Sequence, residues 1–384
     1  MTHADWQWWE LELVVPADYW CATVVEVGGP LLRTVSEVAA PIADTVLVRD
    51  VTAHGLPALY LQARAASDGD LAEAYRAVRG RTRRPLPVAA DAIVDPSGPE
   101  AHDHPGRRLV ATPDTAVVRP ASLVPLAGPV FGGRALPTLT RSFLREVGPV
   151  VVELAAAGGG QRQSLVKEAL SVMAAQLAAQ GPSSAPGASE LPLNGVPLGF
   201  VSFRSHAEAF LSTCRDPRAA RSSMDERYQR ARSVVDTTVE GVLRAADAGL
   251  LADEPAGLWY RTARSARQEF EAAFRSGEIQ VAALVDPSTH DNDLSRSGFH
   301  RKAASSEALQ QYVQSDPAFL AVRLGTSLLY LGLHTAGLTM AERYLLCYLV
   351  SRSCESLSGT DALSVLDTLS APESSATDPA VTGR

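Results

Sequence analysis

Residues 6–15 read W-Q-W-W-E-L-E-L-V-V. Trp6 and Trp8, then Leu11, Leu13 and Val15, fall on nearly alternating positions with Glu10 and Glu12 opposite, the period-two pattern of a half-buried strand. Outward from it, Pro16-Ala17-Asp18 opens a helical stretch to about Ala39, interrupted by Gly28-Gly29-Pro30. Two more strands follow, Thr45–Val51 and Leu56–Arg64, joined by a short turn carrying His54-Gly55. Asp68–Arg79 is a helix, with Asp68 and Asp70 suited to its positive N-terminal end. The order β-α-β-β-α predicts a split βαβ-like antiparallel sheet region at the N-terminus.

The pattern changes after Gly80. Prolines and glycines are frequent over 80–137 and apolar runs are short (Ile93-Val94, Leu109-Val110, Val117-Val118), which predicts short strands, extended segments and a loop at His102-Asp103-His104. Helical periodicity takes over at Arg141–Ala156 and Gln161–Gln180, separated by Gly158-Gly159-Gly160, a hinge or a helix start open to an anion. Gly181–Gly195 has the composition of a linker. Pro197–Phe203 reads as a strand that runs into a helix near Ser205-His206, with Ser205 as its N-cap. Amphipathic helices are expected over 217–249 and 256–274, a polar loop over 286–301, and three more helices over 304–313, 316–335 and 339–356. The whole is α+β: an α+β region at 1–137, a mainly helical region at 138–370 and a frayed tail at 371–384.

Of the 384 residues, 46% are hydrophobic, enough for an ordinary core and too many for wholesale disorder. The net charge of −8 speaks against a general nucleic-acid binder. Lys167 and Lys302 are the only lysines, so nearly every cation is an arginine. None of the four cysteines has C-x-x-C spacing, which excludes a zinc knuckle or dithiol motif. Cys347 and Cys354, seven apart, are expected to face one side of a helix as small buried groups. With no signal-peptide pattern and no run of about 18 apolar residues, the chain reads as cytoplasmic and without a membrane span.

Nucleotide, zinc-protease and serine-hydrolase motifs are all missing. What remains is polar residues at the ends of otherwise apolar elements. They are Arg49; Ser202, Arg204 and His206; Ser288 and His290; Gln310; and His334 inside L-L-Y-L-G-L-H-T-A-G-L. Each also has a structural reading: turn chemistry for Asp286-Pro287-Ser288, a satisfied core histidine for His334. Arg76, Arg79, Arg81, Arg83 and Arg84 form a cationic run with no intervening acid, suited either to an acidic partner or to the negative end of a helix dipole.

Four segments taken together resemble a known family: Trp6-Gln-Trp-Trp, the hairpin Val46–Arg64, S-F-R-S-H-A-E-A-F-L (Ser202–Leu211) and L-L-Y-L-G-L-H-T-A-G-L-T-M-A-E-R (Leu328–Arg343). Their order and spacing resemble the thiopeptide-type bacteriocin biosynthesis family, related to the glutamate-elimination domain of tRNA-dependent lantibiotic dehydratases. Stand-alone members of about this length include the pyridine synthases of thiopeptide pathways. In the elimination-domain pattern Arg49 matches the first arginine and Arg64 a later one, with A-L-Y-L-Q-A between them in place of further polar positions. His334 matches the C-terminal histidine, with Ala336-Gly337 where the family often has Asn-Arg. This depleted cationic set argues against holding a charged glutamyl leaving group.

The resemblance therefore implies a formal aza-[4+2] cycloaddition between two dehydroalanines of a modified precursor peptide, then loss of water and of the leader. It implies no cofactor and no metal. Such chemistry asks for a group to shuttle a proton at an amide, and for two alkenes held in contact. Positioning can supply about 7–11 kcal/mol of the barrier, more than one general acid or base gives at ~10²–10⁴-fold. The implied site is Ser202, Arg204, His206, Ser288, His290 and Gln310, with His334 and Arg49 beneath. The arginine run 76–84 or a sheet edge would bind the leader. The competing readings are a glutamate-elimination subunit and a non-catalytic precursor-binding scaffold.

Overall fold

The computed structural model describes residues 6–33, 42–52, 56–82, 118–128, 130–181, 183, 185, 187–281 and 296–370, together with the backbone of 92–93 and 110–111. Strand β1 (Gln7–Val14) is followed by short helical pieces, α1 (Trp20–Thr23) and α2 (Gly29–Arg33), linked by a π-helical turn over Val24–Gly28. A helical stretch to about Ala39 with an interruption at Gly28-Gly29-Pro30 is what the sequence predicts; its part beyond Arg33 lies outside the described residues. Gly28-Gly29 does not interrupt the path; it lets the π turn come close to the sheet, where a Cβ on Gly28 would lie 2.7 Å from Leu47. Strands β2 (Ile42–Val51) and β3 (Pro57–Ala65) form the predicted hairpin, and α3 (Asp68–Arg79) starts at a capping box of Ser67 and Asp70.

Two two-residue strands, β4 (Ala92–Ile93) and β5 (Val110–Ala111), pair with each other, and β6 (Val118–Pro120) returns to the main sheet. That sheet is antiparallel in the order β2-β3-β1-β6. Its register puts Leu11 and Leu13 opposite Leu61 and Leu59, and Glu10 and Glu12 opposite Gln62 and Tyr60. One face is therefore apolar and the other polar, as the alternation predicts. The polar face is not simply solvated, however: Glu10 and Gln62 are fully buried.

Strand β7 (Phe131–Gly132) leads into the helical part: α4 (Leu136–Gly160), α5 (Arg162–Ala179), α6 (Phe200–Thr213), α7 (Pro217–Asp247) and α8 (Pro255–Arg275). Strand β8 (Gln280–Val281) pairs back with β7. Then come α9 (Gly298–Ala304), α10 (Glu307–Ser315), α11 (Pro317–Thr335), α12 (Met340–Ser358) and α13 (Ala362–Ser370). Helices α4, α5, α8 and α11 pack on one another around Trp259, whose indole N–H donates to Gln176 Oε1 at 2.8 Å and whose ring meets Phe143 edge-on at 5.4 Å. The buried apolar residues form one continuous cluster from Leu11 in the sheet to Leu369 in the last helix. Cys347 and Cys354 are both buried, as expected.

Four further expectations change. The triple glycine stays helical and α4 ends at Gly160, with Gly158 pressed against Leu165 and Cys21; the chain turns at Gln161 instead. In the supposed linker, Ala185 is part of the core, Leu191 and Leu193 pack on it, and Asn194 donates to the Ser358 carbonyl at 3.0 Å. The helix expected at 304–313 forms as α10, and the end of the expected polar loop 286–301 is itself helical, α9; each is capped by a serine, Ser306 and Ser297. Most consequentially, residues 200–203 are the first turn of α6 and not a strand: the buried Phe200, Phe203, Ala207 and Leu211 recur at helical spacing. No helix among the described residues is long and apolar enough to cross a membrane.

Candidate functional site

The site starts with a clamp on both backbone polar groups of one residue, Leu123. The Glu10 carboxylate accepts from Arg119 Nε (2.8 Å), Ser122 Oγ (2.9 Å), Gln62 Nε2 (3.1 Å) and the Leu123 amide (3.1 Å). The Leu123 carbonyl in turn accepts from Gln62 (2.7 Å) and Arg141 (3.0 Å). Burial pushes the Glu10 carboxyl pKa up, but the hydrogen bonds, that of Arg119 foremost, outweigh it and hold the group below its ordinary value. Arg141 also donates to Gln62 Oε1 and lies over the Trp8 ring at 4.8 Å. The polar face of the sheet thus fixes the loop that starts at Leu123.

That loop is one wall of a cavity of about 450 Å³. Residues 123–128 and Phe131 close one side, and Val48, Arg49 and Asp50 at the end of β2 close another. Helix α6 contributes Ser202 and His206, one turn apart on a single face. Helix α11 contributes Arg323, Thr326, Ser327 and Leu331. Thr326 and Ser327 donate back to carbonyls of their own helix (2.9 and 3.0 Å), which leaves their oxygens as acceptors. A second, more open depression of about 620 Å³ lies along α7 between Arg218 and Arg230 and touches none of the residues singled out from the sequence.

His206 is the titratable group best placed for chemistry. Its Nδ1 lies 2.8 Å from the Ser202 carbonyl and 3.0 Å from Tyr330 Oη. A carbonyl only accepts, so Nδ1 carries the proton and Nε2 keeps its lone pair. The Tyr330 hydroxyl is then free to turn its hydrogen toward Cys347 Sγ, 3.4 Å away, and its ring meets the imidazole edge-on at 5.1 Å. Burial lowers the His206 pKa to about 4, with Arg343, His300 and Arg323 adding positive charge that opposes protonation. The imidazole is a neutral base at physiological pH.

Arg49 and His334 meet at the end of α11. The Arg49 amide donates to Thr335 Oγ1 (3.0 Å) and its guanidinium to the His334 carbonyl (3.3 Å), while the guanidinium carbon sits 4.2 Å above the Trp20 ring. Trp20 Nε1 donates to the Thr335 carbonyl (2.8 Å), so the helix end is capped by donors from the sheet layer. His334 bonds Leu338 through Nδ1 at 3.0 Å and lies behind the cavity wall. Burial, with Arg49 close by, lowers its pKa.

The other expected site residues do not converge here. In a strand Arg204 would share a face with Ser202 and His206; in the helix that forms it points the other way. It binds Glu208 (2.9 Å) and Glu355 (3.4 Å) and lies over Tyr348, tying α6 to α12. Gln310 donates to the Ala303 carbonyl at 3.0 Å, fastening α10 to α9, and does not line the cavity. Ser205 is inside α6 and no N-cap; its hydroxyl faces His300 Nε2 at 3.1 Å. Ser288 and His290, like Arg83 and Arg84 and His102 and His104, lie outside the described residues. Arg76, Arg79 and Arg81 sit at or just past the end of α3, where the dipole favours them, and none reaches the cavity.

Sequence reasoning missed Arg323, Tyr330 and the 123–128 wall. Arg323, Thr326 and Ser327 are polar residues in an otherwise apolar helix, the same signal that singled out His334. The wall carries no such signal, because it is made by Glu10 and Gln62, distant in sequence.

No protein-family model matches the chain, nor does any curated protein. Solved structures do. The crystal structure of TsrL superposes with a TM-score of 0.71 at 21% identity, covering 96% of this chain and 99% of that one. The pyridine synthase TbtD, from thiomuracin biosynthesis, gives a TM-score of 0.61 at 21% identity, covering 92% and 99%. The chain therefore shares an α+β fold with these two proteins over nearly its whole length. One of the two, by its description, is a pyridine synthase.

Proposed function

We propose that this protein is a pyridine synthase acting on a ribosomally made precursor peptide. It joins two dehydroalanines in a formal aza-[4+2] cycloaddition and then expels water and the leader. The observation that carries this reading is the convergence of Ser202, His206 and Arg49 on one cavity, in a fold shared end to end with TbtD. The reaction is redox-neutral and asks mainly for a fixed substrate geometry and a proton carrier. The clamped wall and the helix faces of α6 and α11 supply a rigid surround, and the neutral His206 supplies the carrier.

The test is incubation of the protein with a leader-bearing peptide containing thiazoles and two dehydroalanines. Mass spectrometry should show a macrocycle together with free leader peptide. A second reading, elimination of glutamate from glutamylated serine, draws support from the two guanidiniums of Arg49 and Arg323 at the cavity, a richer cationic set than the hairpin alone offers. That activity would give dehydroalanine with the leader still attached. A protein that binds leader and changes neither substrate is a scaffold.

A further inference from the structure

Arg323 stands out among the cavity residues. Its neighbours on α11 are apolar or already bonded within the helix, and its guanidinium lies 5.9 Å from the Phe131 ring centre. It is half-buried, and among the described residues no carboxylate or carbonyl accepts from it. Asp50, the cavity's carboxylate, is exposed and bonds the Val51 amide. Burial takes part of the guanidinium's hydration away without a protein acceptor in its place, so an occupant of the cavity that displaces the remaining water would have to supply one. Across from Arg323, on α6, stands His206 with its Nε2 unpaired. A cationic donor and a neutral base that line one cavity from two helices fit a group that loses a proton at one atom while gaining negative charge at another. An amide is such a group.

Resting on the pyridine synthase reading, we infer that Arg323 is a catalytic residue that hydrogen-bonds the carbonyl oxygen of the amide whose nitrogen bears one dehydroalanine, while His206 Nε2 takes the proton from that nitrogen. The N–H bonding pair becomes the C=N bond, and the carbonyl π pair moves onto oxygen. The imidate oxygen, held by the guanidinium, then takes the proton back from the imidazolium. The neutral iminol that results is the 2-azadiene that closes onto the second alkene. Nothing is oxidised or reduced, and the proton is conserved.

The experiment compares wild type, Arg323→Ala and Arg323→Lys on the bis-dehydroalanine peptide, with thermal unfolding run alongside. Loss of one donor to a developing oxyanion costs about 10²–10³-fold in kcat. Arg323→Ala should show that loss with KM changed by less than about threefold, and added methylguanidinium should restore part of it where methylammonium does not. Arg323→Lys keeps the charge without the planar fork and should remain at least about tenfold impaired; this variant decides the matter if the alanine form does not fold. Turnover by Arg323→Ala within about threefold of wild type, or a raised KM at constant kcat, would overturn the inference while leaving the pyridine synthase reading intact. A wild type that makes no macrocycle overturns both.

Discussion

At the residue scale the informative group is His206. Arg323 and Tyr330 act on it from α11, Arg343 from α12 and His300 from α9, while Cys347 of α12 bonds the Tyr330 hydroxyl. The ring is kept neutral mainly by burial and secondarily by these cations. The kcat/KM profile of the wild type should therefore be flat through neutral pH, with an acid limb only near pH 4, where the imidazole takes its proton. The same shift links to stability. Between about pH 6.5, where an unfolded histidine titrates, and pH 4, the unfolded chain binds a proton that the native one refuses. Stability is thus fully present above this window and falls as pH drops through it. His300 and His334, both lowered by burial, push in the same direction. Urea unfolding at pH 7 and pH 5 should show the loss, and His206→Asn should reduce it; an unchanged midpoint in the wild type would contradict the buried, neutral imidazole.

At the scale of elements, α6 shows how much was legible. Ser202 and His206 were picked out as polar positions, and both line the cavity. Arg204 stands with them in the sequence as another polar residue where the expected strand Pro197–Phe203 gives way to a helix. Tertiary packing of Phe200 and Phe203 selects the helix, and the same three residues divide between a cavity and an ion-pair cluster. The hairpin and the long helices were legible because their periodicities run for eight residues or more. The loop wall was not, since its position depends on Glu10 reaching Leu123. Glu10→Ala would leave the Leu123 amide and the Arg119 and Gln62 donors without their acceptor. It should lower stability by about 2–3 kcal/mol, read by denaturant titration, and should loosen the wall enough to lower kcat more than leader affinity.

On the scale of the whole molecule, the sheet and the helical layer share one core, and a second buried polar system holds the far side together. Glu208 binds Arg204 and Arg221, Glu355 binds Arg204 and Arg352, and Tyr348 donates to Asp225, so α6, α7 and α12 are joined by ionic contacts around the two buried carboxylates Glu208 and Glu355, with Arg221, Arg352 and Asp225 at the solvent edge. Arg204→Met leaves two buried carboxylates short of a partner. It should cost about 2–3 kcal/mol, while the folded fraction keeps wild-type turnover; a selective collapse of kcat with unchanged stability would return Arg204 to the reaction centre. The fold class was readable from sequence because it depends on such long patterns. The charge seam was not, because its members come from helices more than a hundred residues apart.

The bond from the Arg49 amide to Thr335 has a consequence for traffic along the sheet. It occupies the outward amide of Arg49 on the edge strand β2 with a helix end, so a peptide strand cannot pair with the sheet at that point. The opposite flank is β6, three residues long, and its last residue, Pro120, offers no amide hydrogen to a newcomer. On the pyridine synthase reading, we expect the precursor to be held more by side-chain contacts than by strand addition, so proline substitutions along its leader should change affinity little.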